Sequence, residues 1–70
     1  MDAELIIRSD MAKVKIFNLT QLGKRIGIVN RATINRKVKN PSTFSIPEIQ
    51  ALAKLFGWSD EQLGEFIRSI

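Results

Sequence analysis

The sequence predicts an all-α fold, a compact bundle of five short helices. Two kinds of signal carry this. Apolar residues recur at helical spacing, most clearly Leu63, Phe66, Ile67 and Ile70 at i, i+3, i+4 and i+7. Capping residues open the helical windows: Asn18 with Gln21, Ser45 with Glu48, Ser59 with Gln62. Gly27, Pro41 and Gly57 close them. At 70 residues the chain makes one domain, 1–70. A domain this small buries a lower fraction of its surface, so its core must be compact.

The first helix is expected over residues 2–15, where Ala3, Ile7, Met11 and Val14 share a stripe. Leu5, Ile6 and Ile16 fall off that stripe. They leave a short strand at Ile6 and Ile7, or a break at Ser9 and Asp10, as alternatives. Asn18 opens the second helix, with Gln21 as its reciprocal capping partner. Phe17 and Leu22 are spaced for a hydrophobic staple across that cap. Leu22 and Ile26 share the buried face, and Gly23 beside them lets a neighbouring helix approach closely. Gly27 ends the helix, since glycine enters the left-handed conformation without steric cost. Ile28 and Val29 lead to Asn30, the next cap.

The third helix, 31–39, buries Ile34 and Val38 and carries Arg31, Thr33, Asn35, Arg36, Lys37 and Lys39 on its other faces. Residues 18–40 thus read as a helix–turn–helix. Arg36 lies two residues past Ile34 and points away from the core; Arg31 and Arg36, five apart, are expected along one helix face. Pro41 turns Asn40 away from helical geometry, and residues 41–44 form a loop from which Phe44 plugs back into the core. Ser45 and Glu48 open the fourth helix, whose stripe is Ile49, Leu52, Ala53 and Phe56; Pro47 is tolerated in the first turn. Gly57 stops it, and Trp58 is expected as a core plug or hinge anchor rather than a ligand platform. Ser59 opens the last helix, with Asp60 and Glu61 at the positive end of its dipole. Gly64 inside that helix costs about 1 kcal/mol relative to alanine unless a close helix contact offsets it.

Composition excludes several functions. Cysteine, histidine and tyrosine are absent. There is no thiolate or imidazole to hold zinc and no imidazole base. No motif gathers Asp, Glu, Ser and Lys into a catalytic group, so no enzyme, no cofactor and no small-molecule substrate are expected. Apolar runs such as Leu5 to Ile7 are far too short to span a membrane, and Asp2 and Glu4 stand where a signal peptide would be basic. A cytoplasmic, nucleoid-associated protein is expected.

The net charge of +4 conceals a segregation. From Met11 through Pro47 there is no acidic residue, while Lys13, Lys15, Lys24, Arg25, Arg31, Arg36, Lys37 and Lys39 all fall there. The acids lie in the flanks. A basic middle between acidic ends is a footprint for a polyanion, although lopsided charge alone is common in small soluble domains.

Three runs, LGKRIGI, NRATINRKVKNPSTFS and IPEIQALAKLFG, resemble the phage repressor and Cro family of lambda repressor-like helix-turn-helix proteins. The resemblance covers roughly residue 11 to the end. Leu22, Gly23, Ile26, Gly27, Asn30, Ile34, Val38 and Phe44 fit its pattern. The chain departs from it between Gly27 and Asn30, where Ile28 and Val29 replace a single apolar residue and lengthen the turn. It also lacks a glycine before Phe17.

The resemblance implies a sequence-specific double-stranded DNA-binding transcriptional regulator, a phage- or mobile-element-like repressor. It would act as a homodimer on a palindromic site, with helix 31–39 in the major groove. Arg31, Ala32, Asn35 and Arg36 would face base edges, arginine reading guanine, asparagine adenine and Ala32 a thymine methyl. Asn18, Thr20, Gln21, Thr33, Lys37, Lys39, Asn40, Ser42 and Thr43 would lie against phosphates. Capping alone accounts for Asn30 and Ser45, and a solvated face for Lys13, Lys15 and Lys24. Two alternatives stand beside this reading. One is a DNA-binding antitoxin of the same fold; the other is a protein-interaction module without DNA, which would require an apolar patch on the third helix.

Overall fold

The computed structural model describes residues 2–70 and is all-helical. Five α-helices run in order: α1 (Ala3–Lys13), α2 (Leu19–Ile26), α3 (Arg31–Lys39), α4 (Ile46–Phe56) and α5 (Asp60–Arg68). The described chain measures 29 × 23 × 20 Å. None of its helices is long and apolar enough to cross a membrane.

The Asp2 side chain caps α1 by accepting the Glu4 amide at 2.9 Å. The helix then runs unbroken through Ser9 and Asp10, so neither a strand nor a break forms there. Ala3, Ile7 and Met11 are buried, as the stripe requires. Ile16 is buried as well, although it lies off the stripe. It does so because Lys15 adopts a left-handed conformation with φ 60°. That bend turns the chain back over α1, and the Ile16 amide donates to the Met11 carbonyl at 2.9 Å.

The start of α2 departs from two expectations, and the reason is Ile16. Ile16 takes the core seat, so its neighbour Phe17 faces outward and is 78% exposed, and no staple to the buried Leu22 forms. Asn18 does accept the Gln21 amide at 2.9 Å, but the Gln21 side chain accepts from the Phe17 amide rather than closing a box on Asn18.

Helices α2 and α3 meet at Gly23. A Cβ added there would overlap the Ile28 carbonyl oxygen and lie 3.4 Å from the Ile34 side chain. Gly27 turns the chain with φ 89°, and the Ile28 amide returns to the Gly23 carbonyl at 2.7 Å. Ile28 is buried, and Asn30 caps α3 by accepting the Thr33 amide. α2 packs on α3 and α4, while α1 packs on α3 and α5. Among the described residues every buried side chain is apolar.

Residues 41–43 form a 3-10 turn rather than an irregular loop. Pro41 suits the first position of such a turn because its missing amide is not needed there. Thr43 secures it, its hydroxyl donating to the Asn40 carbonyl at 2.7 Å, and Phe44 inserts into the core. Both capping boxes at Ser45 and Ser59 close in full. In α4, Ile49 and Leu52 are buried, and Ala53 and Phe56 are half-buried.

Trp58 is half-buried, its ring 4.9 Å from that of Phe66, and its indole N–H donates to the Asp10 carboxylate on α1. In α5 only Phe66 is buried. Ile67 and Ile70, expected to complete the stripe, are 49% and 42% exposed. Helical spacing gave these residues a common face, but among the described residues no neighbouring element covers the outer part of it. Gly64 has no helix against it either; the nearest side chain is that of Arg68, from its own helix.

The two helical glycines should therefore respond oppositely to alanine. Gly23→Ala must displace backbone and should lose about 1–3 kcal/mol. Gly64→Ala needs only a shift of the flexible Arg68 and should gain up to about 1 kcal/mol. Urea denaturation of both variants checks this; an unchanged Gly23→Ala midpoint would refute the close contact.

Candidate nucleic-acid interface

The buried side of α3 is set by Ile34 and Val38, both fully inaccessible. Each helical residue turns the chain by about 100°, so Arg36 stands nearly opposite that buried side, with Ala32 and Lys39 close by on one side of it. All three are exposed. Arg31 is exposed too, at the opening turn, but it does not share Arg36's face. Five residues rotate the helix by about 140°, so the two arginines diverge rather than lie along one line. That grouping from the sequence is corrected: a spacing of three or four, not five, aligns side chains.

The remaining residues of α3 are less free. Asn35 is half-buried, and its amide nitrogen donates to the Arg31 carbonyl at 2.8 Å, leaving its oxygen and one N–H available. Thr33 is half-buried beside the cap. Lys37 is mostly withdrawn from the surface. Its ammonium donates to Glu48 Oε1 at 2.7 Å and to the Thr43 carbonyl at 3.2 Å, with only 18% of the side chain exposed. Two of its three N–H donors are thereby committed inside the molecule, which sets Lys37 apart from the exposed cations.

Beyond α3, Asn40, Ser42 and Thr43 are exposed where the chain leaves the helix. Asn18 and Gln21 are exposed and Thr20 is half-exposed at the start of α2. The Gln21 amide is taken by the Asn18 side chain, and the positive end of the helix dipole at this exposed start favours an anion. Among the described residues Arg31, Arg36 and Lys39 have no ion-pair partner; the pairs present are Arg8–Glu4, Lys13–Asp10 and Lys37–Glu48.

The Lys37–Glu48 pair was not readable from the sequence. Glu48 has an evident local task in the capping box, and its partner lies eleven residues away. One carboxylate oxygen serves both, accepting from Lys37 and from the Ser45 amide at 2.8 Å. Partial burial alone would raise the Glu48 pKa, but the bonds from Lys37 and Ser45 outweigh it and hold the carboxyl below its usual 4.5. The pair ties the end of α3, the 3-10 turn and the start of α4 together.

Comparison with family models, with curated proteins and with solved structures returns no match to this chain.

Because the folded-state pKa of Glu48 is depressed below 4.5, its contribution to stability is complete above that pH and is lost as pH falls through the folded value. Glu48→Gln keeps a capping-box partner and removes the charge. It should lose about 1–2 kcal/mol near neutral pH and less than the wild type on acidification. Denaturation at about pH 7 and about pH 3 checks this; parallel acid losses would show that the pair contributes nothing.

Proposed function

We propose that this chain is a sequence-specific double-stranded DNA-binding regulator of transcription, a phage- or mobile-element-like repressor with a lambda repressor-like helix-turn-helix fold. One observation carries the reading. The outward face of α3 holds unpaired cations within an acid-free segment, and α3 is mounted on α2 through the close contact at Gly23. A short basic helix held rigidly against a second helix suits insertion into the major groove.

In this reading Arg36, opposite the core, reaches base edges and pairs with guanine through two hydrogen bonds. Ala32 lies beside it, and Arg31 and Asn35 read from the flank of the helix. Lys39, Asn40, Ser42 and Thr43 follow the phosphate backbone where the chain leaves the groove. Asn18, Thr20 and Gln21 meet phosphate at the start of α2, aided by the helix dipole. The protein works as a homodimer on a palindromic site in the cytoplasm, without a cofactor and without catalysis.

Selection of bound sequences from random duplex DNA tests the reading and yields the site. Binding should weaken steeply with salt, by about 0.9 in log K per log salt for each phosphate neutralised. Arg36→Ala should cost about 1–3 kcal/mol on the selected site and relax preference at one base pair. Lys39→Ala should weaken selected and scrambled duplexes alike and flatten the salt slope by about 1 per monomer. Failure to shift any duplex at low salt would sink the proposal; an equal loss on both duplexes for Arg36→Ala would remove it from base recognition.

A further inference from the structure

The turn between α2 and α3 presents a side chain that neither the core nor the cationic face uses. Val29 is 87% exposed, more than any other large hydrophobic residue of the described chain. The backbone on either side of it is fixed. Ile28 is buried and its amide is bonded to the Gly23 carbonyl at 2.7 Å, while Asn30 accepts the Thr33 amide at 3.1 Å. An apolar residue just before a helix cap often folds over the first turn to meet the residue at the position of Ile34. Here Ile34 is fully buried against the Gly23 side of α2, and Val29 stays outside.

An exposed valine alone is common on protein surfaces. This one stands at the leading edge of α3, followed by the exposed Arg31 and Ala32, within a segment that has no acid from Met11 through Pro47. Its β-branched side chain has little rotamer freedom to lose on contact. Apolar contact in the major groove of B-DNA has one natural target, the 5-methyl group of thymine.

We infer that Val29 is a specificity-determining residue, its isopropyl group packing against a thymine 5-methyl in the major groove. The inference rests on the DNA-binding reading above and adds a residue to it. Arginine and asparagine read hydrogen-bonding groups. Val29 reads the one group that separates thymine from uracil, which keeps every hydrogen-bonding atom and lacks only the methyl.

The test uses the full chain and the duplex selected from random DNA, with each thymine replaced in turn by deoxyuridine. Affinities are measured by fluorescence anisotropy at one salt concentration, for the wild type and for Val29→Ala. The wild type should lose about three- to fivefold in affinity at one thymine of the site. Val29→Ala should show a similar loss on the unmodified duplex and no further loss on the deoxyuridine duplex. Its melting temperature should match the wild type, since the side chain is 87% exposed. A selected site without thymine, the absence of any deoxyuridine penalty, or a penalty that persists in Val29→Ala overturns the inference. Specific binding without methyl dependence overturns it alone; no binding to any duplex at low salt overturns the DNA-binding reading with it.

Discussion

The contact at Gly23 governs the geometry of the molecule. The Ile28 carbonyl oxygen occupies the space a Cβ would need, and the Ile28 amide bonds back to the Gly23 carbonyl. The turn therefore folds onto the helix it has just left. Ile28 goes into the core, Val29 is turned out, and Asn30 is set to start α3. Ile34 then packs against α2, which fixes the rotation of α3 about its axis and hence the direction in which Arg36 points. A larger residue at 23 would separate the two helices, and the outward face of α3 would lose its fixed orientation.

The far end of α3 is held differently. The Lys37–Glu48 pair joins three elements through charge-assisted bonds, and it spends one of the cations of the basic segment on internal structure. The consequence is a division of labour within nine residues of helix. Ile34 and Val38 anchor it, Lys37 ties down its end, and Arg31, Arg36 and Lys39 remain as unpaired charge. Net charge alone does not show this division, because all four cations count equally in it.

What was legible in the sequence was local. The caps at Asn18, Asn30, Ser45 and Ser59 each accept an amide three residues on, a range within which side-chain chemistry decides. The buried stripe of α1 and the insertion of Phe44 follow from spacing and from the Pro41 turn in the same way. What was illegible depends on contacts distant in the chain. Trp58 finds Asp10 across 48 residues. The burial of Ile16 needs a left-handed lysine, which no propensity favours, and the exposure of Phe17 follows from it. Periodicity put Ile67 and Ile70 on the face of Phe66 but could not say that no element covers them. In the candidate interface, Arg36 was legible from its angle to Ile34. Lys37 was not, since its commitment to Glu48 exists only once α4 has folded against α3.

In the proposed function, the start of α2 and the outward side of α3 together make one surface for duplex DNA. Amide chemical-shift mapping by NMR tests it most directly, with a short duplex titrated into the labelled full chain at low salt. Perturbations should concentrate at Asn18 to Gln21, at Val29 to Arg36 and at Lys39 to Thr43, and be reversed by added salt, with Asp60 to Ile70 unmoved. Perturbations centred on α1 and α5, or none in α3, would contradict it.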